Sequence, residues 1–486
     1  MSSELSRLDQ LKKSLAAQRL AISKTLSSVE KVETTLKRSL LATQLASKKL
    51  DDKLKLAADI IDSTIDVDED DEISLITTTT STSTSTSTAA SAIIPVAPTV
   101  ILNVLVPPSP PTTRVSIAML IREPPIKSLH TFIKYHFSIG INKLYLYFDD
   151  IANQKKDHIL MKNILKTFNN DDEKVIVVDC SAKWYYNTKK TSALWKEYGQ
   201  YIETDLIARQ VIAVEQAILR ATLDGMDWLV HIDVDELLYW NNNDETTFNN
   251  ICTWFDQIPS YVDSVRFLNV EGAPESIEFT PPSSKKEKEY EDQEDDYFQH
   301  ISLFKRNPLN VSMKSMRQWP KNKIHFTAYH NGKSAVRCRE NVVPFGSHKF
   351  CYQNSNNSSS SNCSLLSLDA KDVQLYHYPH ASFTQWWKKY RILGTFPNYH
   401  LGIYEIPNNC FHLQSRDAIC GHLNTGDNSE GEEQKENGSS DYRERYAREL
   451  YKRHCVYEDE NEKIKLIQSG LLIRNNSISR YIETLL

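Results

Sequence analysis

Between residues 115 and 232 the chain alternates short apolar runs with segments of helical spacing. VSIAMLI (115–121), KLYLYF (143–148), VIVVD (175–179) and WLVHI (228–232) have the length and side-chain content of buried strands. Between them lie SLHTFIKYHFSIG, which follows Pro124-Pro125 and ends at Gly140, then HILMKNILKTF, then DLIARQVIAVEQAILRATLDG, closed by Gly225. Strands alternating with helices of this length predict an α/β domain with a largely parallel sheet. In such sheets, ligands bind beyond the carboxyl ends of the strands.

The fourth run ends abruptly in carboxylates, as Asp233-Val234-Asp235-Glu236. In extended geometry Asp233 and Asp235 point the same way. Two like charges held together are unfavourable unless a cation lies between them. The site therefore asks for Mn²⁺ or Mg²⁺, hard ions bound by oxygen that commonly bridge substrate phosphates. His231 points opposite to the carboxylates and reads as a packed strand residue. His136 reads as packing a helix against the sheet.

The flanks differ in texture. Residues 1–62 contain Leu8, Leu15, Ile22, Val29 and Leu36 at intervals of seven, without Gly or Pro, although Gln18, Thr25 and Ser39 interrupt the second seam. This predicts a coiled-coil helix able to self-associate. Residues 63–113 carry an acidic run, a Thr/Ser tract and a Pro-rich stretch, the composition of a disordered linker. Residues 114–400 form the expected catalytic domain with loop insertions, and 401–486 a partly helical C-terminal extension.

The net charge of −6 and the lack of a basic stripe exclude a general nucleic-acid binder. No signal peptide is visible, and Pro95, Pro98, Pro107, Pro108 and Asn103 interrupt the apolar stretch 89–108. The eight cysteines form no CxxC pair. The clusters Cys338/Cys351/Cys363 and Cys410/Cys420 are compatible with disulfides or with thiols.

Four blocks in order carry a resemblance: REPPIKSLHTFIKYHFSIGINKLYLYFDD, ARQVIAVEQAILRATLDGMDWLVHIDVDELL, NGKSAVRCRENVVPFGSHKF and LYHYPHASFTQWWKKYRILG. Over about residues 115–395 the chain resembles the GT-A glycosyltransferases, near the GT2 and GT92 families. The resemblance implies a GT-A nucleotide-diphospho-sugar transferase fold, preceded here by the coiled-coil helix and disordered linker. It implies a nucleotide-sugar donor, by first choice UDP-galactose, an inverting reaction, and a glycan or glycoconjugate acceptor. Arg122, Glu123 and Asp149 would lie near the nucleoside, with Gln210 in the matching helix. Asp233 and Asp235 would anchor the metal, His348 would complete its ligands, and Lys333 would neutralise the diphosphate. His377 is the second candidate ligand. Glu271, read as the end of the strand SVRFLNV, is the candidate base. A Golgi or secretory location follows from the resemblance. The missing leader and anchor leave the cytoplasm open, while the Asn310, Asn356, Asn357, Asn362, Asn437 and Asn475 sequons fit a lumen.

Rival readings are weaker. HNGKS (330–334) lacks the Gly that a phosphate-binding loop needs, because Thr327 stands there. Leu237 replaces the residue expected of an aspartyl phosphoryl-transfer enzyme. A coiled-coil scaffold carrying an inactive domain is opposed by the intact DVDE and GSH.

Overall fold

The computed structural model describes residues 112–150, 157–168, 173–240, 250–279, 296–353, 365–421 and 440–486, all within one unit, Leu105–Leu486. The heptad segment 1–62, nearly all of the linker, Cys363, and most of the three acidic or Ser/Asn-rich insertions lie outside the described residues. So does the apolar stretch 89–108. Among the described residues, no helix is long and apolar enough to cross a membrane.

The architecture is mixed α/β, built on two sheets. The larger contains β1 (Val115–Ile121), β2 (Lys143–Phe148), β3 (Val175–Asp179), β4 (Trp228–His231), β6 (Ser264–Phe267), β9 (Lys333–Arg337) and β12 (Ser367–Asp369), in the order β12-β6-β9-β4-β1-β2-β3. Four of its six pairings are parallel, and β9 runs antiparallel to both neighbours. The second sheet, ordered β16-β8-β7-β13-β5, contains β5 (Glu236–Trp240), β7 (Asn269–Gly272), β8 (Leu303–Lys305), β13 (Val373–His377) and β16 (Leu472–Arg474). Two hairpins complete the strands: β10 (Val342–Phe345) with β11 (Lys349–Tyr352), and β14 (Tyr399–His400) with β15 (Tyr404–Glu405).

Both faces of the larger sheet are covered, which is why its central strands read as continuous apolar runs. Along β1, Val115, Ile117, Met119 and Ile121 enter one core while Ala118 and Leu120 enter the other. Helix α1 (Ile126–Ser138) covers the first face with Leu129, Phe132 and Ile133. His136 is buried there and accepts from the Leu238 backbone across to β5, so it joins helix to sheet as expected. Helix α2 (His158–Phe168) adds Leu160, Met161 and Ile164 to the same core. On the other face, α3 (Leu206–Leu223) packs a stripe of Val211, Ile212, Val214, Ala217 and Ile218. Its N-cap Asp205 accepts from Ile207 N at 2.7 Å.

Two expectations change. SVRFLNV is two strands, because the chain leaves the larger sheet after Phe267 and joins the second at Asn269. Glu271 is consequently an interior position of β7 and not a strand-end residue. The boundary at 400/401 also runs through shared cores. Helices α4 (Phe383–Leu393), α5 (Phe411–Cys420) and α6 (Ser440–Cys455) bury Trp386, Tyr390, Phe411 and Tyr451 together. Helix α7 (Glu460–Gln468) leads to β16, which pairs with β8, and α8 (Ser477–Leu485) adds Ile478 and Ile482 to the main core. The extension is needed because, without it, β8 is an open edge. Cys410 and Cys420 are free thiols.

Gly332, at the entry to β9, has φ 74°, and a Cβ there would collide with the Phe267 carbonyl oxygen. We expect Gly332→Ala to destabilise the protein by roughly 2 kcal/mol or more, measured by urea unfolding. An unchanged midpoint would contradict this close approach.

Candidate functional site

β4 ends at His231, and Asp233 to Glu236 form a tight turn closed by Glu236 N donating to Asp233 O at 3.1 Å. After that turn the chain enters the second sheet as β5. The DVDE segment is therefore the seam between the two sheets. It is not a continuous extended strand, and Glu236 is the first residue of β5. Three contacts fix the turn: Asp233 N donates to Glu236 Oε2 at 2.7 Å, Tyr378 N to Asp235 O at 2.8 Å, and Tyr297 Oη to Val234 O at 3.1 Å.

Because the segment turns, the two carboxylates face different partners. Asp233 accepts from Gln210 Nε2 at 3.1 Å and pairs with Lys333 Nζ at 2.8 Å. Asp235 pairs with Lys389 Nζ at 2.8 Å and lies 3.8 Å from His377 Nε2. Burial opposes ionisation of both acids, but the facing ammonium outweighs it and holds each below the ordinary carboxylate range. The lysines are held above their ordinary value in turn, the facing carboxylates overcoming burial. Glu236, fully buried, is pushed well above its ordinary value by desolvation. Burial lowers His348 to about 3 and His377 to about 4, so both imidazoles are neutral at physiological pH.

Lys333 is enclosed at the start of β9. It is 1% exposed, lies 5.5 Å above the Tyr329 ring and also reaches Ser347 O at 3.4 Å. The Tyr329 ring packs, tilted, against His348 and His377 with ring centroids 4.5 and 4.9 Å away, so it gathers both imidazoles beside the lysine. His348 Nδ1 is 2.8 Å from Gly332 O. With the proton on Nδ1, donated to that carbonyl, Nε2 keeps its lone pair, the arrangement typical of a metal-binding histidine. Two carboxylates and such an imidazole suit Mn²⁺ or Mg²⁺ by donor type. Each carboxylate is at present engaged by a lysine. Among the described residues, the trio whose ligand atoms all lie within 4.8 Å of one another is a different one, Asp150, His158 and Asp179.

The nucleoside candidates lie at the ends of β1 and β2. Arg122 makes no hydrogen bond or ion pair among the described residues and lines a cleft of about 910 Å³. Glu123 beside it has φ 43°, and its N–H donates to Asp157 Oδ2 at 3.2 Å. Non-glycine strain of this kind clusters at functional sites. Asp149 is buried against Arg209 Nε at 2.9 Å, and its other oxygen has no partner. The facing cleft wall comes from beyond α4, with Phe396, Tyr399 and Arg416 opposite Tyr201. Arg122 on its rim follows β1, the strand at which the order of the sheet reverses, with β2 and β3 on one side and β4 on the other. That is where open α/β sheets bind ligands.

Glu271 departs from its expected role. It is fully buried and accepts from Thr327 N at 2.9 Å, Thr327 Oγ1 at 2.7 Å and Ala328 N at 2.9 Å, while pairing with Lys305. Against burial, Lys305 and these donors hold it at about 2. An acid so enclosed is a poor base and meets no acceptor. It belongs to a row of registered neighbours, Glu236–His377–Glu271–Lys305, across β5, β13, β7 and β8.

Sequence reasoning missed Lys389 and Arg209. The one signal was charge inside apolar helical stripes: Lys389 follows buried Trp386 by three residues, and Arg209 lies among buried α3 positions. His231 is buried and lowered to about 3 by desolvation, as a packed strand residue should be.

Glu271→Gln should destabilise the protein by about 3–5 kcal/mol, since it strands Lys305 in the core. The native pKa of Glu271 lies below its ordinary 4.5. Its contribution is therefore present above about 4.5 and is lost as pH falls towards about 2. Acid unfolding of Glu271→Gln should lack that component, and stability equal to wild type would restore Glu271 as a candidate base.

No family model matches the chain. It is similar to two glycosyltransferase-like proteins of Arabidopsis thaliana, each 23% identical, over 358 and 361 residues. Each match covers 71% of this chain, but 66% and 58% of the relatives' own lengths, so the chain spans less than two thirds of either. A mannosyltransferase structure from S. cerevisiae overlaps 34% of this chain and 42% of its own, with 12% identity and a TM-score of 0.18, too little to inform the fold. The similarity on record is thus to proteins described as glycosyltransferase-like.

Proposed function

We propose that this chain is a metal-dependent glycosyltransferase of the GT-A type, transferring a sugar from a nucleotide donor to a glycan or glycoconjugate. The observation that carries the reading is the pinned turn at the end of β4, where Asp233 and Asp235 meet Lys333 and Lys389. The similarity to glycosyltransferase-like proteins supports the same class. Asp233, Asp235 and His348 are the residues that would hold Mn²⁺ or Mg²⁺. When bound, the ion supplies positive charge to the departing diphosphate. Lys333 and Lys389 add ammonium charge where negative charge develops, and the burial of Lys333 strengthens its share of that effect. Arg122 is the cleft's uncommitted cation for a nucleotide, and Gln210 orients Asp233. The donor is proposed to be a UDP-sugar, with UDP-galactose tried first. The inverting course implied by resemblance requires a base other than Glu271.

The test is thermal unfolding of the full chain with UDP, with and without Mn²⁺. Ligand that binds only the native state raises its stability, by about 2.7 kcal/mol at a hundredfold excess over Kd. UDP should raise Tm only with Mn²⁺, and Asp235→Asn should abolish the shift. A donor screen on the wild type should then show sugar transfer or slow donor hydrolysis. If no nucleotide shifts Tm, the reading fails. If UDP binds but no donor is turned over, the domain is a sugar-nucleotide binder without catalysis.

A further inference from the structure

The two lysines facing the DVDE turn are held differently. Lys333 is enclosed, with Asp233 at 2.8 Å, Ser347 O at 3.4 Å and the Tyr329 ring beneath it. Lys389 stands on α4 with its side chain 40% exposed, and among the described residues its contacts besides Asp235 at 2.8 Å reduce to a long one to Pro379 O at 3.4 Å. Its ammonium sits on a flexible four-carbon stem, so it can leave the carboxylate by rotating towards solvent. Asp235 has no comparable freedom, because the turn backbone is fixed by Tyr378 N and Tyr297 Oη on either side of its peptide.

We propose that Lys389 is a displaceable counter-ion of Asp235, which couples cation binding to donor binding. The inference rests on the function proposed above. Before the site is loaded, Lys389 holds Asp235 ionised and in place, and the two carboxylates cancel the two ammonium groups. A neutral site has little attraction for a nucleoside diphosphate. A divalent cation engaging Asp235 would release Lys389, whose charge would then be available to a diphosphate bound beside that cation. Donor affinity therefore develops after the cation is bound. By linkage, a bound donor tightens the cation in the same proportion. Lys389 is on this account a positioning residue for the carboxylate and a specificity element for a diphosphate, with opposite effects on the two ligands.

That opposition makes the test specific. Mn²⁺ is titrated into the full chain without nucleotide, free ion being followed by electron paramagnetic resonance, for wild type, Lys389→Met and Lys389→Arg. UDP is then titrated at saturating Mn²⁺ by calorimetry. Removing a competing charge a few ångströms from the carboxylate should tighten Mn²⁺ in Lys389→Met by on the order of tenfold or more. The same variant should bind UDP on the order of tenfold more weakly, while Lys389→Arg stays close to wild type in both. A role in packing alone would not move the two affinities in opposite directions. The proposal is overturned if wild type binds Mn²⁺ and Lys389→Met binds it no more tightly. Mn²⁺ binding by the variant alone would support it. If neither protein binds Mn²⁺ or Mg²⁺ and UDP binds unaided, the metal-dependent reading falls, and the counter-ion role with it.

Discussion

Everything at the site depends on one constraint, the tight turn by which the chain passes from the larger sheet to the smaller. A strand that ends in Asp-Val-Asp-Glu and continues directly as the next strand must put its carboxylates at the junction. The fold accepts this because each aspartate there has a dedicated cation, and because the backbone between them is hydrogen-bonded by Tyr378 N and Tyr297 Oη. Burying such charges without partners costs several kcal/mol apiece. Lys333 arrives from β9 and Lys389 from α4, so the junction gathers the body of the sheet and the C-terminal helices around one point.

The second sheet extends the same economy inward. Its four registered ionisable residues, Glu236, His377, Glu271 and Lys305, lie side by side across the strands and are all buried. Glu271 and Lys305 neutralise each other, burial keeps His377 uncharged at neutral pH, and burial opposes ionisation of Glu236. The charges that act at the turn are those of two aspartates and two lysines, a balance that a divalent cation and a diphosphate can alter in turn.

Much of the fold was legible from periodicity. The runs 115–121, 143–148 and 175–179 coincide with β1, β2 and β3, because strands buried on both faces are written as unbroken apolar segments. The long helix was readable through its apolar stripe and the glycine that follows it. The antiparallel β9 was less visible, since strand direction leaves no mark in a local pattern. The break between Phe267 and Asn269 was hidden for a similar reason: a strand that changes sheets keeps its apolar alternation, and that misplaced Glu271 at a strand end. The pairing of Asp233 with Lys333 brings together residues a hundred positions apart that the resemblance had already placed at one site. Lys389 was concealed within an aromatic helix.

The sequence by itself determined the alternation of strands and helices, the acidic end of the fourth strand, and a residue inventory suited to a hard cation and an anionic donor. These are local properties, written in side-chain spacing and type. Tertiary structure alone decided that the acidic segment turns, that its two aspartates face separate lysines, that Glu271 is sealed in the core, and that the C-terminal helices form a wall of the cleft. Each of these depends on which distant segment arrives at a given point and from which direction. Charge pairing and burial act through space, and spacing along the chain does not encode them.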